Sequence, residues 1–211
     1  MSESTYTTRP GLILGFHGCY ESLVSEVLTG KTALRKSTNK YDWLGHGVYM
    51  WDNSPARALE FAEFLKSNPG KSIRPIKNPA VIGAVLNLGF CLDLLDYQNL
   101  SFIKEAHNSL NTLNKKLRKD MPVNKPLRIG GSNDLLLREL DCAVIESLHS
   151  FRHQAATPPF DSIQGVFSEG EELYENAGFK EKDHIQICIR NPNCIKGYFL
   201  PMMENMKYQK V

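Results

Sequence analysis

Residues 15–18 read GFHG and residues 44–51 read LGHGVYMW. In both stretches a short apolar run meets a polar residue that glycine flanks. Glycine lets a backbone approach a ligand closely and adopt dihedral angles that other residues avoid. Because a helix-forming segment follows each stretch, we expect two strand-to-helix turns, one presenting His17 and the other Tyr49, to wall a single cleft. The alternative is that both are ordinary strand-end residues.

Composition indicates a globular protein of one domain. The chain has 211 residues, 42% of them hydrophobic and 23% charged, and a formal net charge of +2. No apolar run approaches the ~18 residues that a membrane span needs, and the N-terminal segment lacks the layout of a secretory signal. Five cysteines without CxxC spacing predict reduced thiols and no zinc site. We therefore expect a cytoplasmic protein that has no membrane association.

Apolar patterning predicts an α+β fold over residues 1–211. We expect a first helix over 21–29, a second that begins at Ser54 and Pro55, and strands at the following positions: 11–17, 47–51, 80–88, 91–94, 161–167, 184–190 and 194–200. Two amphipathic helices, joined at 130–132, form an insertion at about 98–153. Strands surrounding a helical pair are typical of an α+β domain with an insertion.

Five stretches in sequence order resemble motifs of the ADP-ribosyltransferase superfamily, in its diphtheria-toxin and poly(ADP-ribose) polymerase branch. They cover most of the chain and lie at 16–18, 45–54, 83–94, 161–165 and 186–200. The resemblance implies a split pair of antiparallel-rich sheets around an NAD cleft, here with the inserted helical pair. It also implies cleavage of the nicotinamide–ribose bond of NAD and transfer of ADP-ribose to an acceptor.

The same resemblance assigns roles to three residues of the first two stretches. His17 is expected to hydrogen-bond a hydroxyl of the adenosine-side ribose, and Gly18 to offer backbone groups to the nicotinamide amide. Tyr49 is expected to stack on the nicotinamide ring. Arg57 lies one turn into the second helix, where it could meet the pyrophosphate or simply lie on a solvated helix face.

The catalytic acid is where the chain departs from the family. The branch has a glutamate at the start of its penultimate strand, and Gln186 takes that position here. Glutamine binds a hydroxyl but brings no negative charge to a developing cation. We therefore expect Gln186 to orient the ribose and a loop acid, first Glu169 before Glu171 or Glu172, to supply the charge. These glutamates are otherwise surface residues.

The histidines and the basic residues give weaker evidence of a functional site. The six histidines form no short ligand cluster, although His149 and His153 are four apart, and no metal is expected. The end of the first inserted helix is basic, with Lys115, Lys116, Arg118 and Lys119, and with Lys125 and Arg128 nearby. These cations either complement the helix dipole or form a phosphate-binding patch.

Together these observations predict an NAD-dependent mono-ADP-ribosyltransferase. By analogy with stand-alone bacterial members, it would be the toxin of a toxin–antitoxin or phage-defence module, with a possible antitoxin protein as partner. The acceptor is RNA, DNA or protein, and the basic helix end favours nucleic acid. Two alternatives remain open: a catalytically silent module that binds NAD or ADP-ribose, and an RNA 2'-phosphotransferase.

Overall fold

The structure is a computed structural model that describes residues 11–71, 74–126, 134–202, 206, 207 and 209. Within these residues the strands are β1 Ile13–Tyr20, β2 Val48–Asp52, β3 Pro79–Leu86, β4 Cys91–Asp93, β5 Asn124–Lys125, β6 Leu137–Arg138, β7 Ser162–Phe167, β8 His184–Ile189 and β9 Ile195–Phe199. The α-helices are α1 Glu21–Leu28, α2 Pro55–Ser67, α3 Leu100–Leu117 and α4 Glu139–Gln154.

Seven strands form one mixed sheet in the order β4-β7-β8-β2-β1-β3-β9, and β5 pairs with β6 separately. Neighbours in the large sheet are antiparallel except β4 and β7, which are parallel. The α+β class predicted from the sequence is confirmed. The expected split pair of facing sheets differs from what is observed, because the seven strands other than β5 and β6 belong to one continuous sheet.

The joint between β1 and β2 explains this difference. Its ladder consists of only two residue pairs, Gly15 with Asp52 and Phe16 with Trp51, whereas β1 and β3 pair over eight. Beyond these pairs the His17 imidazole bonds the carbonyl oxygen of Tyr49, with Nδ1 2.8 Å away. The joint therefore has the shortest ladder in the sheet's centre, and the His17 side chain adds a hydrogen bond to it.

The two faces of the sheet are covered by different helices. The first face carries Met50, Ile82 and Ile187, and α1 packs on it. The second face carries Phe16 and Trp51 beneath α2, and its other end lies beneath α3 and α4. Strand registers define these faces, because paired residues project to the same side and adjacent residues to opposite sides.

The helix signals in the sequence are largely confirmed. Pro55 is the first residue of α2, although Ser54 makes no side-chain capping bond. Gly30 follows α1 with φ of 72°, which suits the glycine expected there. The predicted insertion contains α3 and α4 and also the antiparallel pair of β5 and β6, and its predicted joint at 130–132 lies outside the described residues.

Across the described ranges, none of the helices has the length and apolar character that a bilayer crossing requires.

Candidate functional site

His17 and Tyr49 do not project their side chains into one space. His17 pairs with Ile82 on the first face, whereas Tyr49 pairs with Cys188 on the second. They meet only through the bond from His17 Nδ1 to the Tyr49 carbonyl oxygen. Burial lowers the pKa of His17 and this bond opposes the shift. Contrary to the prediction from the sequence, these two side chains therefore do not form the two walls of one cleft.

The Tyr49 hydroxyl is bound within the protein. It donates to the carbonyl oxygen of Gly45 at 2.7 Å and accepts from the backbone N–H of Leu44 at 2.8 Å. Burial, and then the nearby Cys188, raise the pKa of Tyr49 well above its usual value, so the hydroxyl keeps its proton. These bonds fix the ring of this half-buried side chain at one angle.

The turn before Tyr49 is locked in place by α4 and the end of β8. Gly45 has φ of 72°, and a Cβ there would lie 2.5 Å from the Glu146 carboxylate. Glu146 forms an ion pair with Arg190 and accepts the His46 backbone N–H at 2.8 Å. Packing against α4 therefore explains Gly45, and packing against β8 explains Gly47, where a Cβ would lie 2.4 Å from Cys188 Sγ.

Gly18 is a contact point between β1 and α2. A Cβ on Gly18 would lie 1.9 Å from the carbonyl oxygen of Ala58, so only glycine allows this approach. The close approach of α2 is enough to require glycine at position 18. The expectation that Gly18 binds the nicotinamide amide therefore stays a prediction.

Arg57 and Glu169, predicted as separate site residues, are brought together. Arg57 Nη2 donates to Glu169 Oε1 at 2.9 Å, and the two side chains are only 15% and 13% exposed. Arg57 Nη1 lies 3.4 Å from Glu60, which pairs with Lys182 at 2.8 Å. The solvated-face interpretation of Arg57 is thus wrong. Glu172, by contrast, is exposed.

Gln186 lies on the second face, paired with Trp51 of β2 and with Gly165 of β7. Two residues earlier in β8, His184 projects from the same face and pairs with Phe167 at the end of β7. His184 Nδ1 is 3.6 Å from Glu169 Oε1, which connects Gln186's strand to the acidic residue. Gln186, His184 and Glu169 therefore border one region at the ends of β7 and β8.

Three buried polar atoms in this region have no hydrogen-bond partner among the residues described: Trp51 Nε1, Arg57 Nε and His184 Nε2. The Arg57 guanidinium carbon lies 5.9 Å from the Trp51 ring centre, and the Trp51 and His184 ring centres are 6.4 Å apart. An unpaired buried polar atom costs about 1–3 kcal/mol, so such atoms are rare unless a ligand or water uses them. Their clustering marks this region, which we call the second-face site, as the candidate functional site.

Trp51 and His184 were missed by sequence reasoning. Alternation in β8 would have found His184, since residues 184 and 186 share a face of any strand that includes both. Trp51 belongs to the LGHGVYMW stretch, but only the pairing of β2 with β8 places it opposite Gln186.

The remaining candidates lie away from this site. His149 is buried and His153 is exposed, and no group of three or more His, Cys, Asp or Glu suited to a metal ion occurs in the part of the chain that is described. The basic residues at the end of α3, 115, 116, 118 and 119, are exposed, as is Lys125, and Arg128 falls outside the described residues. An open depression of about 370 Å³ on α3 includes Lys116 in its lining.

Comparisons with known protein families, curated proteins and solved structures find no match to this chain. Function is therefore inferred from the chemistry of the site.

Proposed function

We propose that this protein is an NAD-dependent mono-ADP-ribosyltransferase that acts at the second-face site. The observation that carries the proposal is the 2.9 Å contact between Arg57 and Glu169, at the strand end that bears Gln186. The family resemblance and its departure point to Gln186 and Glu169, and the place of Arg57 one turn into the second helix suits a pyrophosphate. A cation, a carboxylate and an amide at one place suit the pyrophosphate, the anomeric carbon and the ribose hydroxyl of NAD.

Each group has a distinct part in the proposed reaction. As the bond between nicotinamide and ribose breaks, positive charge builds on the anomeric carbon, and the Glu169 carboxylate would face it. A fixed charge that faces a developing one is usually a large catalytic term. Gln186 would orient the ribose by accepting from or donating to its hydroxyl groups.

Arg57 would bind the pyrophosphate. Its Nε–H is buried without a partner among the described residues, so a phosphate oxygen could accept from it with no bond first being broken. Charge-assisted bonds from guanidinium to phosphate are among the strongest hydrogen bonds in proteins.

Tyr49 would contact nicotinamide through its ring face. Because Gly45 and Leu44 hold its hydroxyl, the ring is already fixed, and aromatic pairs contribute about 0.5–1.5 kcal/mol beyond burial. His17 projects from the first face, so its side chain is not part of the proposed second-face site. The contact of Gly18 with the nicotinamide amide stays a prediction.

The acceptor in this proposal is a macromolecule, and the exposed basic end of α3 favours RNA or DNA over protein. By analogy with stand-alone bacterial transferases, the protein would act in the cytoplasm as a toxin or phage-defence effector held by an antitoxin protein.

The test is nicotinamide release from NAD by the purified chain, with label from adenine-radiolabelled NAD followed into a lysate before and after nuclease or protease digestion. We expect Glu169→Gln to lower nicotinamide release by about 100-fold or more, as loss of one electrostatic stabiliser does elsewhere. Glu172→Gln, the same change at an exposed position of the same loop, is the matched control and should keep full activity. Equal rates for wild type and Glu169→Gln would contradict the proposal.

The second candidate is a silent module that binds NAD or ADP-ribose, which Gln186 favours because it stands where the family has a glutamate. Titration calorimetry separates the two: tight NAD binding without nicotinamide release supports the silent module.

A further inference from the structure

The hydrogen bonding of His184 fixes which of its ring nitrogens holds the proton. Nδ1 lies 2.6 Å from the carbonyl oxygen of Lys182, and a carbonyl oxygen can only accept. Nδ1 therefore carries the hydrogen, and in the neutral ring Nε2 has the free electron pair. Nε2 is buried and has no partner among the described residues.

The environment of His184 keeps the ring neutral and rigid. Its side chain is 4% exposed and lies against the rings of Trp43, Trp51 and Phe167. Burial lowers the pKa of His184, the bond to Lys182 and the Glu169 charge oppose this shift, and the Arg57 charge adds to it. The charged groups around it are Glu169 from the loop, Arg57 and Glu60 from α2, and Lys182 and Asp183 before β8.

A neutral imidazole with one nitrogen anchored and the other free is the form that takes a proton from a reacting group. The His184 ring is adjacent to the carboxylate that the proposed reaction places at the anomeric carbon, since Glu169 Oε1 is 3.6 Å from Nδ1. In the proposed reaction the acceptor would supply the hydrogen-bond partner that Nε2 lacks among the described residues.

We propose that His184 is the general base that deprotonates the acceptor, and that the acceptor is a neutral hydroxyl or N–H group rather than a carboxylate. This inference rests on the transferase function proposed above. The acceptor's electron pair forms the new bond to the anomeric carbon, and the bond from that carbon to nicotinamide breaks. The bonding pair passes to the pyridinium nitrogen, and the acceptor's proton passes to His184 Nε2 and then to solvent.

The test compares nucleophiles that do and do not carry a proton. Purified full-length wild type and His184→Gln are given NAD with methanol or with azide, and nicotinamide release and the ribosyl products are measured. Azide is already an anion and needs no base. We expect the substitution to lower methanolysis and hydrolysis by about 100-fold or more, and to leave azidolysis unchanged.

His153→Gln is the matched control, because it makes the same change at an exposed histidine of α4 and should alter neither reaction. A parallel fall of methanolysis and azidolysis in His184→Gln would assign His184 a structural role and overturn the inference. Unchanged methanolysis would also overturn it.

Wild-type protein supplies a second measurement that needs no variant. Methanolysis should rise with pH through the lowered pKa of His184 and then level off, whereas azidolysis should lack this step. Identical pH profiles would overturn the inference while the transferase function stood. No nicotinamide release with any nucleophile would remove the transferase function and this inference together.

Discussion

The two faces of the sheet differ in whether their buried polar atoms have hydrogen-bond partners. On the first face, Ser162 donates to the Leu88 carbonyl oxygen at 2.6 Å, and His17 bonds that of Tyr49. On the second-face side lie all four buried side-chain polar atoms that lack a partner in the described part of the chain: Trp51 Nε1, Arg57 Nε, His149 Nε2 and His184 Nε2. Because unpaired buried polar atoms weaken a fold, their confinement to one side separates a face that stabilises the protein from one that is available for chemistry.

The largest effect expected is on the first face. Met50 is fully buried there, and Met50→Ala should lower the free energy of unfolding by about 2–5 kcal/mol through lost burial and a cavity. Nicotinamide release per folded molecule should persist. Urea unfolding checks this, with the exposed Val166→Ala on the same face as a control that costs less than about 0.5 kcal/mol. A loss below 1 kcal/mol for Met50→Ala would break the distinction between the faces.

The pH dependence of stability should reveal His149. Burial lowers its pKa to about 4 from a usual value of 6.5, so between these values the unfolded chain binds one more proton than the folded chain. Stability contributed by this group is therefore lost as pH falls from 6.5 towards 4, by up to about 1.4 kcal/mol per pH unit. In urea unfolding at several pH values, His149→Leu should show a flatter acid slope, whereas His153→Leu at an exposed site should retain the parent slope.

A double-mutant cycle tests the Arg57–Glu169 pair at the second-face site. Because both side chains are mostly buried, Arg57→Gln or Glu169→Gln leaves a charge without its partner, and the double variant should recover part of the loss. We expect a coupling of about 0.5–3 kcal/mol in the free energy of unfolding. The more exposed pair Arg138–Asp141 is the comparison and should couple by less than about 1 kcal/mol. Equal couplings would mean that the second-face pair is an ordinary surface contact.

The smallest stability effect is expected at Trp51. Trp51→Phe keeps a ring and removes an unpaired N–H, so stability should change by less than about 1 kcal/mol while nicotinamide release falls. Trp43→Phe is the control, because Trp43 Nε1 has a partner and donates to the Leu136 carbonyl oxygen at 2.9 Å. Loss of this hydrogen bond should destabilise the fold. If Trp51→Phe were the more destabilising of the two, the unpaired N–H would not belong to a functional site.

Part of the candidate site was predictable. Gln186 was named from motif order, and Glu169 from the glutamate missing at that position, whereas Arg57 was named from its place in the second helix with a solvated face as the alternative. In the structure Glu169 contacts both Arg57 and His184, which lies two residues before Gln186 in β8. His17 and Tyr49 were expected to share a cleft, but strand register puts their side chains on opposite faces, since His17 pairs with Ile82 and Tyr49 pairs with Cys188. No local pattern states which residue of one strand opposes which residue of another.

The sequence by itself determined the α+β class, the order of the helices and of the strands other than β5 and β6, the start of α2, and the glycine after α1. These follow from periodicity, capping residues and backbone conformational preferences, which act within a few residues. Only the tertiary structure decided that the strands form one sheet, that Gly18 admits α2, and that Trp51 and His184 join Glu169. These are contacts between residues far apart in the chain, and they are set by register and packing density, which no short stretch of sequence encodes.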